Sequence, residues 1–559
     1  MTPATETAPE PEAPGLLKME LAPDGMPTLR VDDVWLEDPE DPVAASKAFV
    51  SPDVVAGADQ LVLFGSGLGY RPLRLKTLGA KRLVIVEPVE EVLVTAQELL
   101  PDAFEGVTCV RRIDALLDTL SSSGSADERI VLLSPPGYAE AYPAFHARVQ
   151  EAIRDAQGFR RMREQSASGR RAMVLRSGLA SLRYASGIPL ALAAGQPLRG
   201  RPAFLVSAGP SLDRNRHLLN DARKKGALFA VNTAAKALHG ELDALDVLVR
   251  IESLTASPEL AAIAERTAVL ALDLVADADT FALDTAHKAL FVQEHEALAP
   301  LVEALGMTPL RYGATVATAA FALARTWGAD PIVLVGQDLA YTGGQAYATG
   351  TGRERWRTSV DEGVITIDYD EATAEAFRAK GLALPHKSQP CLEVPAWGGD
   401  ERVSTTYDLT LFRRWFEAAA EHYDGRFINA TEGGASIRGW EERSLDAVLA
   451  ELPELATPSA EVLGTALAQA PQVPASALRR LRKDGSRSAR AVLDASRRAS
   501  ARGARARAKA VTRAAAKAPL VQAHASGALE TLRREGDAGL DARAAALEAS
   551  AEAVLAALR

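Results

Sequence analysis

Ala203-Phe-Leu-Val-Ser-Ala-Gly-Pro-Ser-Leu-Asp213 reads as a short buried strand that runs into a glycine-proline turn and then a helix. Pro210 suits a helix entry. Ser211 is placed to cap that helix and to offer its hydroxyl to a phosphate, with main-chain N–H groups and the helix dipole favouring an anion. Apolar runs of the same kind recur at 227–232 (ALFAVN), 246–252 (DVLVRIE), 268–273 (AVLALD), 289–293 (ALFVQ) and 330–338 (DPIVLVGQD). Helical segments separate most of them. That alternation predicts a doubly wound parallel α/β domain, whose ligands gather outside the carboxyl ends of the strands.

Towards the N-terminus a smaller series repeats the pattern. LVLFG (61–65), RLVIVEP (82–88) and RIVLLSPP (129–136) are spaced for crossover helices. Gly65-Ser-Gly67-Leu-Gly69 follows the first run, and Glu87 ends the second. Such glycines allow close backbone approach to a ligand, and such an acid can bind ribose hydroxyls. The pattern is similar to the nucleoside-binding half of S-adenosylmethionine-dependent methyltransferases. Ser134-Pro-Pro-Gly-Tyr138 loosely resembles the Pro-Pro-aromatic segment of amino-methyltransferases, with Ser at the polar position and an inserted Gly. The competing expectation is a Rossmann-like scaffold whose glycines serve only the turn, leaving Gly65, Gly67, Gly69 and Glu87 as a vestigial site.

The expected organisation is an acidic, partly disordered region at 1–50, a Rossmann-like domain at 51–160, a helical connector at 161–200, a central domain at 201–450 and an Ala/Arg-rich helical appendage at 455–559. A length of 559 residues agrees with about three or four domains. The formal net charge of −10 argues against a general nucleic-acid coat, but it is unevenly spread. Residues 479–517 carry fourteen basic residues against Asp484 and Asp494, which makes that stretch +12 and the remainder −22. An acidic partner for 479–517 is one expectation, and a solvated helix face is the other. Leu540, Ala544, Leu547, Ala551, Val554 and Leu558 form a stripe suited to a partner helix, so an oligomer through the C-terminal helix is expected. Cys109 and Cys391 cannot build a disulfide framework, the eight histidines form no metal-ligand pair, and no run is long enough to span a bilayer. A cytoplasmic location is expected.

Within the central domain the polar residues at strand ends are the candidate ligand contacts. Gly209, Pro210 and Ser211 would cradle a phosphate, Asn232 would read a base or sugar, and Glu252 would add a carboxylate. Thr315, before an Ala-rich helix, is a second candidate cap or phosphate-binding hydroxyl. The strand at 330–338 delivers Gln337 and Asp338 into a Gly-rich loop, where a carboxylate suits a general base or a metal ligand. Residues 340–410 read as long loops.

FLVSAGPSLDRN, FAVNTAA, GATVATAAFALA, GADPIVLVGQDLAYTGGQAYATGT and INATEGGASIRG (428–439) resemble, in that order, the core of the Maf motility-associated-factor glycosyltransferases. That family shares its central domain with 6-hydroxymethyl-dihydropterin diphosphokinase. The GPSL turn followed by a strand-end Asn is also similar to bacterial sialyltransferases with CMP-activated donors. The resemblance covers roughly 60–445 and implies transfer of a nonulosonic acid, pseudaminic or legionaminic, from CMP to Ser or Thr of flagellin. It implies donor-phosphate contacts from Gly209, Pro210 and Ser211, nucleotide contact from Asn232, and a transfer site lined by Thr315, Gln337 and Asp338. Thr431, Glu432 and Gly433 would form a closing segment. Tyr347 departs from the family, where His is expected, and the +12 segment has no counterpart.

No cofactor is required by this reading, although Mg at Asp338 is an open alternative. Three rival functions remain: a pterin-type diphosphokinase using ATP and Mg, a methyltransferase acting through the first domain, and an inactive scaffold.

Overall fold

A computed structural model describes residues 16–558 apart from 123, 126, 252–257, 314, 362, 370, 372, 373, 376–387, 400, 501–503 and 533–539. The chain forms two compact units, Met1–Gly169 and Arg170–Arg559.

The first unit holds a four-stranded parallel sheet in the order Thr108–Val110, Leu83–Val86, Gln60–Phe64, Ile130–Leu133. Alternate residues of its strands enter opposite cores: Val62, Phe64, Val84 and Val86 on one face, Leu61, Leu63, Leu83 and Ile85 on the other. Burial on both faces is why these strands read as continuous apolar runs. The stretch expected to be partly disordered is folded from residue 17 onward. Leu17–Leu21, Pro27–Val31 and Val34–Trp35 form an antiparallel sheet, and the helix Pro42–Phe49 follows with Asp41 as its cap. Its apolar residues Leu29, Val31 and Leu36 anchor it in the core, against the pull of the acidic composition. The long helix Pro143–Ser181 occupies the end of this unit and the start of the second, and includes part of the expected connector.

The second unit is built on an eight-stranded parallel sheet in the order His287–Phe291, Thr267–Asp273, Leu245–Arg250, Ala227–Val231, Ala203–Val206, Ile332–Val335, Phe427–Asn429, Glu441–Glu442. Again the period of two divides the side chains, with Phe204, Val206, Leu228 and Val333 on one face and Leu205, Phe229, Ile332 and Leu334 on the other. Successive strands step outward in one direction from Ala203–Val206 and then reverse at Ile332–Val335. The two α/β units are therefore Rossmann-like and doubly wound, as expected.

Two expectations change. Residues 340–410 contain small antiparallel sheets, Arg357–Asp361 with Val364–Asp368 and Ser388–Pro390, and Leu392–Pro395 with Arg402–Thr405. The C-terminal helices Ala475–Ser500, Ala504–Ala515, Pro519–Leu532 and Leu540–Leu558 pack on one another and share a hydrophobic core with the sheet, so they are more than an appendage. The stripe Ala544, Leu547, Ala551, Val554 and Leu558 is buried inside this bundle. It meets helices of its own chain, which removes the reason for expecting an oligomer through that stripe. Gly485 explains one close crossing, since a side chain there would press on Leu520 and Leu558. No helix among the described residues is long and apolar enough to cross a membrane.

Candidate functional site

In an open parallel sheet, a crevice opens at the carboxyl edge where strand order reverses, because the two adjacent loops depart to opposite faces. The large sheet reverses between Ala203–Val206 and Ile332–Val335. The turns leaving these strands carry Ser207–Ser211 and Gly336–Asp338, so residues 127 positions apart become neighbours.

The Ser207 hydroxyl donates to Gln337 Oε1 at 2.5 Å. Gly209 N–H donates to Gly336 O at 2.8 Å. Ser211 donates through its hydroxyl to Asp338 Oδ1 at 2.6 Å and through its N–H to Asp338 Oδ2 at 3.2 Å. Asp338 lies against the Cα of Gly209, where any side chain would overlap Oδ1. Asp338 is 3% exposed, and burial pushes its carboxyl up to about 6 despite the Ser211 bonds and the nearby Arg214 charge.

The third wall is the segment after Phe427–Asn429. Thr431 Oγ1 accepts from Gln337 N–H at 3.3 Å. The Glu432 carbonyl accepts from Arg214 at 2.7 Å, and its carboxylate accepts from Leu445 N–H at 2.7 Å. Gly433 lies beside Ser211 and Arg214. Gly434 packs so closely on the Asp338 main chain that it excludes a side chain, and Ala435 N–H donates to Asp338 O at 2.7 Å. Leu339 and Glu432 both hold left-handed φ values, 53° and 59°, which non-glycine residues adopt only at some cost. Backbone strain thus sits on both sides of the Asp338 carboxylate.

Asn232 directly follows the neighbouring strand Ala227–Val231, opening the helix Asn232–Ala237; it is 5% exposed, and neither amide atom has a hydrogen-bond partner among the described residues. An unsatisfied buried amide is costly, and a ligand that pairs with it recovers that cost. The structure therefore brings Gly209, Pro210, Ser211, Gln337, Asp338, Thr431, Glu432 and Gly433 together, with Asn232 at the adjoining strand end. Glu252 lies outside the described residues.

The structure revises the reading of Ser211 and takes up the cap alternative for Thr315. Ser211 makes no side-chain cap; the helix it precedes, Leu212–Asn215, has four residues, too few for a strong dipole, and the hydroxyl turns to Asp338. Thr315 caps the helix Val316–Thr326 in a reciprocal box with Thr318 and spends its hydroxyl there. The donors around Asp338 also do not fit a cation. One carboxylate meeting an N–H, an O–H and an arginine charge is an arrangement for anions, so no step is assigned to magnesium.

A second buried acid, Asp273, ends a strand three places from Ala203–Val206 in the sheet order. It is fully buried at the end of Thr267–Asp273, accepts from the Tyr312 hydroxyl, and burial pushes its carboxyl up to about 6. Tyr347 packs edge-on against Trp356 with centroids 5.6 Å apart, and its hydroxyl accepts from Arg353 at 3.1 Å.

In the first unit the strand order reverses between Gln60–Phe64 and Ile130–Leu133, beside Gly65–Gly69. The Tyr138 ring occupies the space where a Gly65 side chain would fall. Its hydroxyl donates to Glu87 Oε2 at 2.8 Å and accepts from Gly67 N–H at 2.9 Å. Glu87 also accepts from Ser66 N–H at 2.7 Å, Ser66 Oγ at 2.9 Å and Val89 N–H at 3.0 Å. Leu68 N–H donates to Glu37, which pairs with Arg71 at 2.9 Å. Glu87 is fully buried, and burial pushes its carboxyl up to about 7. The groups that would greet a nucleoside are thus spent inside the fold.

Residues 189–344 match the family model described as 6-hydroxymethylpterin diphosphokinase MptE-like. The central domain expected from the sequence strings is present over that span, which contains Gly209–Ser211, Asn232, Thr315, Gln337 and Asp338. No curated protein sequence matches significantly. Among solved structures, a Maf glycosyltransferase from Magnetospirillum magneticum AMB-1 is similar at 14% identity and a TM-score of 0.48, over 97% of this chain and 90% of that one.

Proposed function

We propose that the chain is a glycosyltransferase that moves a nonulosonic acid from a CMP-activated donor to Ser or Thr of a polypeptide, flagellin or another surface-structure protein. The observation that carries this reading is the meeting, at one strand-order reversal, of the strings that resemble Maf proteins: the Gly209–Ser211 turn, Gln337–Asp338 and Thr431–Gly433. The unpartnered amide of Asn232 at the next strand end adds a group suited to a nucleobase or sugar.

In this reading the donor phosphate binds the Ser211 N–H and hydroxyl, and Arg214 lends positive charge to the leaving CMP. Electrostatic help of this kind is worth about 3–4 kcal/mol per well-placed donor. Asp338 orients the acceptor hydroxyl and takes its proton as the bond from sugar to acceptor forms. A carboxyl raised towards neutrality is a stronger base than an ordinary aspartate. The acceptor is a polypeptide and the place of action the cytoplasm.

The family description of residues 189–344 favours a second reading, diphosphate transfer from ATP to a pterin alcohol. The two readings part at the metal, since diphosphate transfer leans on divalent cations. The test is a turnover assay with purified protein and an unstructured Ser/Thr-rich acceptor. Release of CMP and a matching mass gain on the acceptor support the proposal; diphosphate transfer from ATP with magnesium rejects it.

A further inference from the structure

We propose that the Asp338 carboxylate is a displaceable stopper in the anion seat: a ligand phosphate must evict it from Ser211, and eviction is what frees it to meet an acceptor hydroxyl. This rests on the reading that a donor phosphate uses Ser211. A single N–H and a single O–H cannot each serve two strong acceptors, and both Ser211 donors are engaged by Asp338, at 3.2 and 2.6 Å. Carboxylate and phosphate are also like-charged, so they cannot share the seat. Gly209 admits the stopper, because a Cβ there would occupy the position of Oδ1.

The release must be a side-chain movement. Ala435 N–H holds the Asp338 carbonyl at 2.7 Å, and the Thr405 hydroxyl holds the Leu339 carbonyl at 2.8 Å. Gly434 presses on the same main chain. With the backbone clamped, rotation of the carboxylate is the freedom left. Arg214 stands beside the seat, tied to the Glu432 carbonyl at 2.7 Å, and would remain to face the incoming anion. Asn232, buried with both amide atoms unpartnered among the described residues, is an independent sign that a polar ligand completes this edge of the sheet. The consequence is an order of events: donor first, then acceptor.

The test titrates CMP, and separately inorganic phosphate, into the full-length protein and its Asp338→Ala and Asp338→Asn variants by calorimetry. A stopper lowers apparent affinity by the fraction of time the seat is free, so Asp338→Ala should bind both probes about tenfold tighter, with Asp338→Asn between. The Asn variant keeps the volume and one acceptor, so it remains informative where Ala does not fold. Equal or weaker CMP binding by the variants overturns the stopper and leaves the donor reading standing. Tighter phosphate binding with no CMP binding upholds the stopper and rejects the nucleotide donor. Binding of neither probe to any of the three proteins rejects both.

Discussion

The two units pose the same geometric problem, a glycine turn at a reversal of strand order, and resolve it differently. At Gly65–Gly69 the crevice is filled by the Tyr138 ring, and Glu87 and Glu37 consume the loop N–H groups. At Gly209–Ser211 it is filled by a single carboxylate that can rotate away, next to a buried amide with no partner among the described residues. An aromatic ring packed in a core is a permanent filling, whereas a carboxylate in an anion seat is a substitute for a ligand. A glycine-rich turn therefore identifies a crevice, and the side chains from the facing strand decide whether it can bind.

The largest expected separation between the two regions is in turnover. Asp338→Asn should lower transfer on the order of 10²–10⁴-fold, while Glu87→Gln should leave it within about twofold. A steady-state assay of both variants checks this, and equal losses would erase the distinction. The second effect is on stability. Tyr138→Ala empties the first crevice and should cost about 3–5 kcal/mol in denaturant unfolding of the first unit, with the anion seat unaffected. A negligible cost would mean that the ring is not a core element.

A smaller effect is expected at Asn232. Replacing it with Ala removes an unsatisfied amide, so stability should hold or rise while CMP affinity falls about tenfold. Unchanged CMP affinity would remove Asn232 from the site. The smallest effect is a pH slope in the first unit. Glu87 has an ordinary unfolded value of 4.5 and is pushed up to about 7 in the fold, so between these values the folded state holds a proton that the unfolded chain has lost. Its contribution is present in full below about 4.5 and is lost as pH rises through about 7. Unfolding measured across that window should show the decline in the wild type and less of it in Glu87→Gln.

Much of this comparison was legible in the chain. The apolar runs located most strands of both sheets, though not Thr108–Val110, Phe427–Asn429 or Glu441–Glu442, and the glycine turns located both crevices, because burial on two faces and tight strand–helix turns leave local signatures. What stands opposite each turn was not legible. Ser211 meets Asp338 because Ala203–Val206 and Ile332–Val335 lie side by side, and strand order is not encoded in periodicity. Glu37 lies in the stretch 1–50 that composition marks only as acidic, and the fold brings it to Leu68 N–H. Thr315 reads from the chain as either a cap or a phosphate-binding hydroxyl, and its box partner Thr318, not the usual Glu or Gln, leaves the cap unsignalled. The stripe on Leu540–Leu558 announced a partner helix without revealing that three belong to its own chain.

The basic stretch lies on the C-terminal helices of the second unit. Arg507 is tied to Glu548 at 2.7 Å, whereas Arg479, Arg480, Lys483 and Arg490 are exposed on the helix Ala475–Ser500.

If the second crevice binds the donor and the first does not, CMP should protect only the former. Hydrogen exchange of the full-length protein with and without CMP tests it most directly. Exchange should slow in the segments 207–214, 232–237, 336–341 and 430–435, with 65–70 and 134–138 unchanged. Protection confined to 65–70 and 134–138 would contradict it.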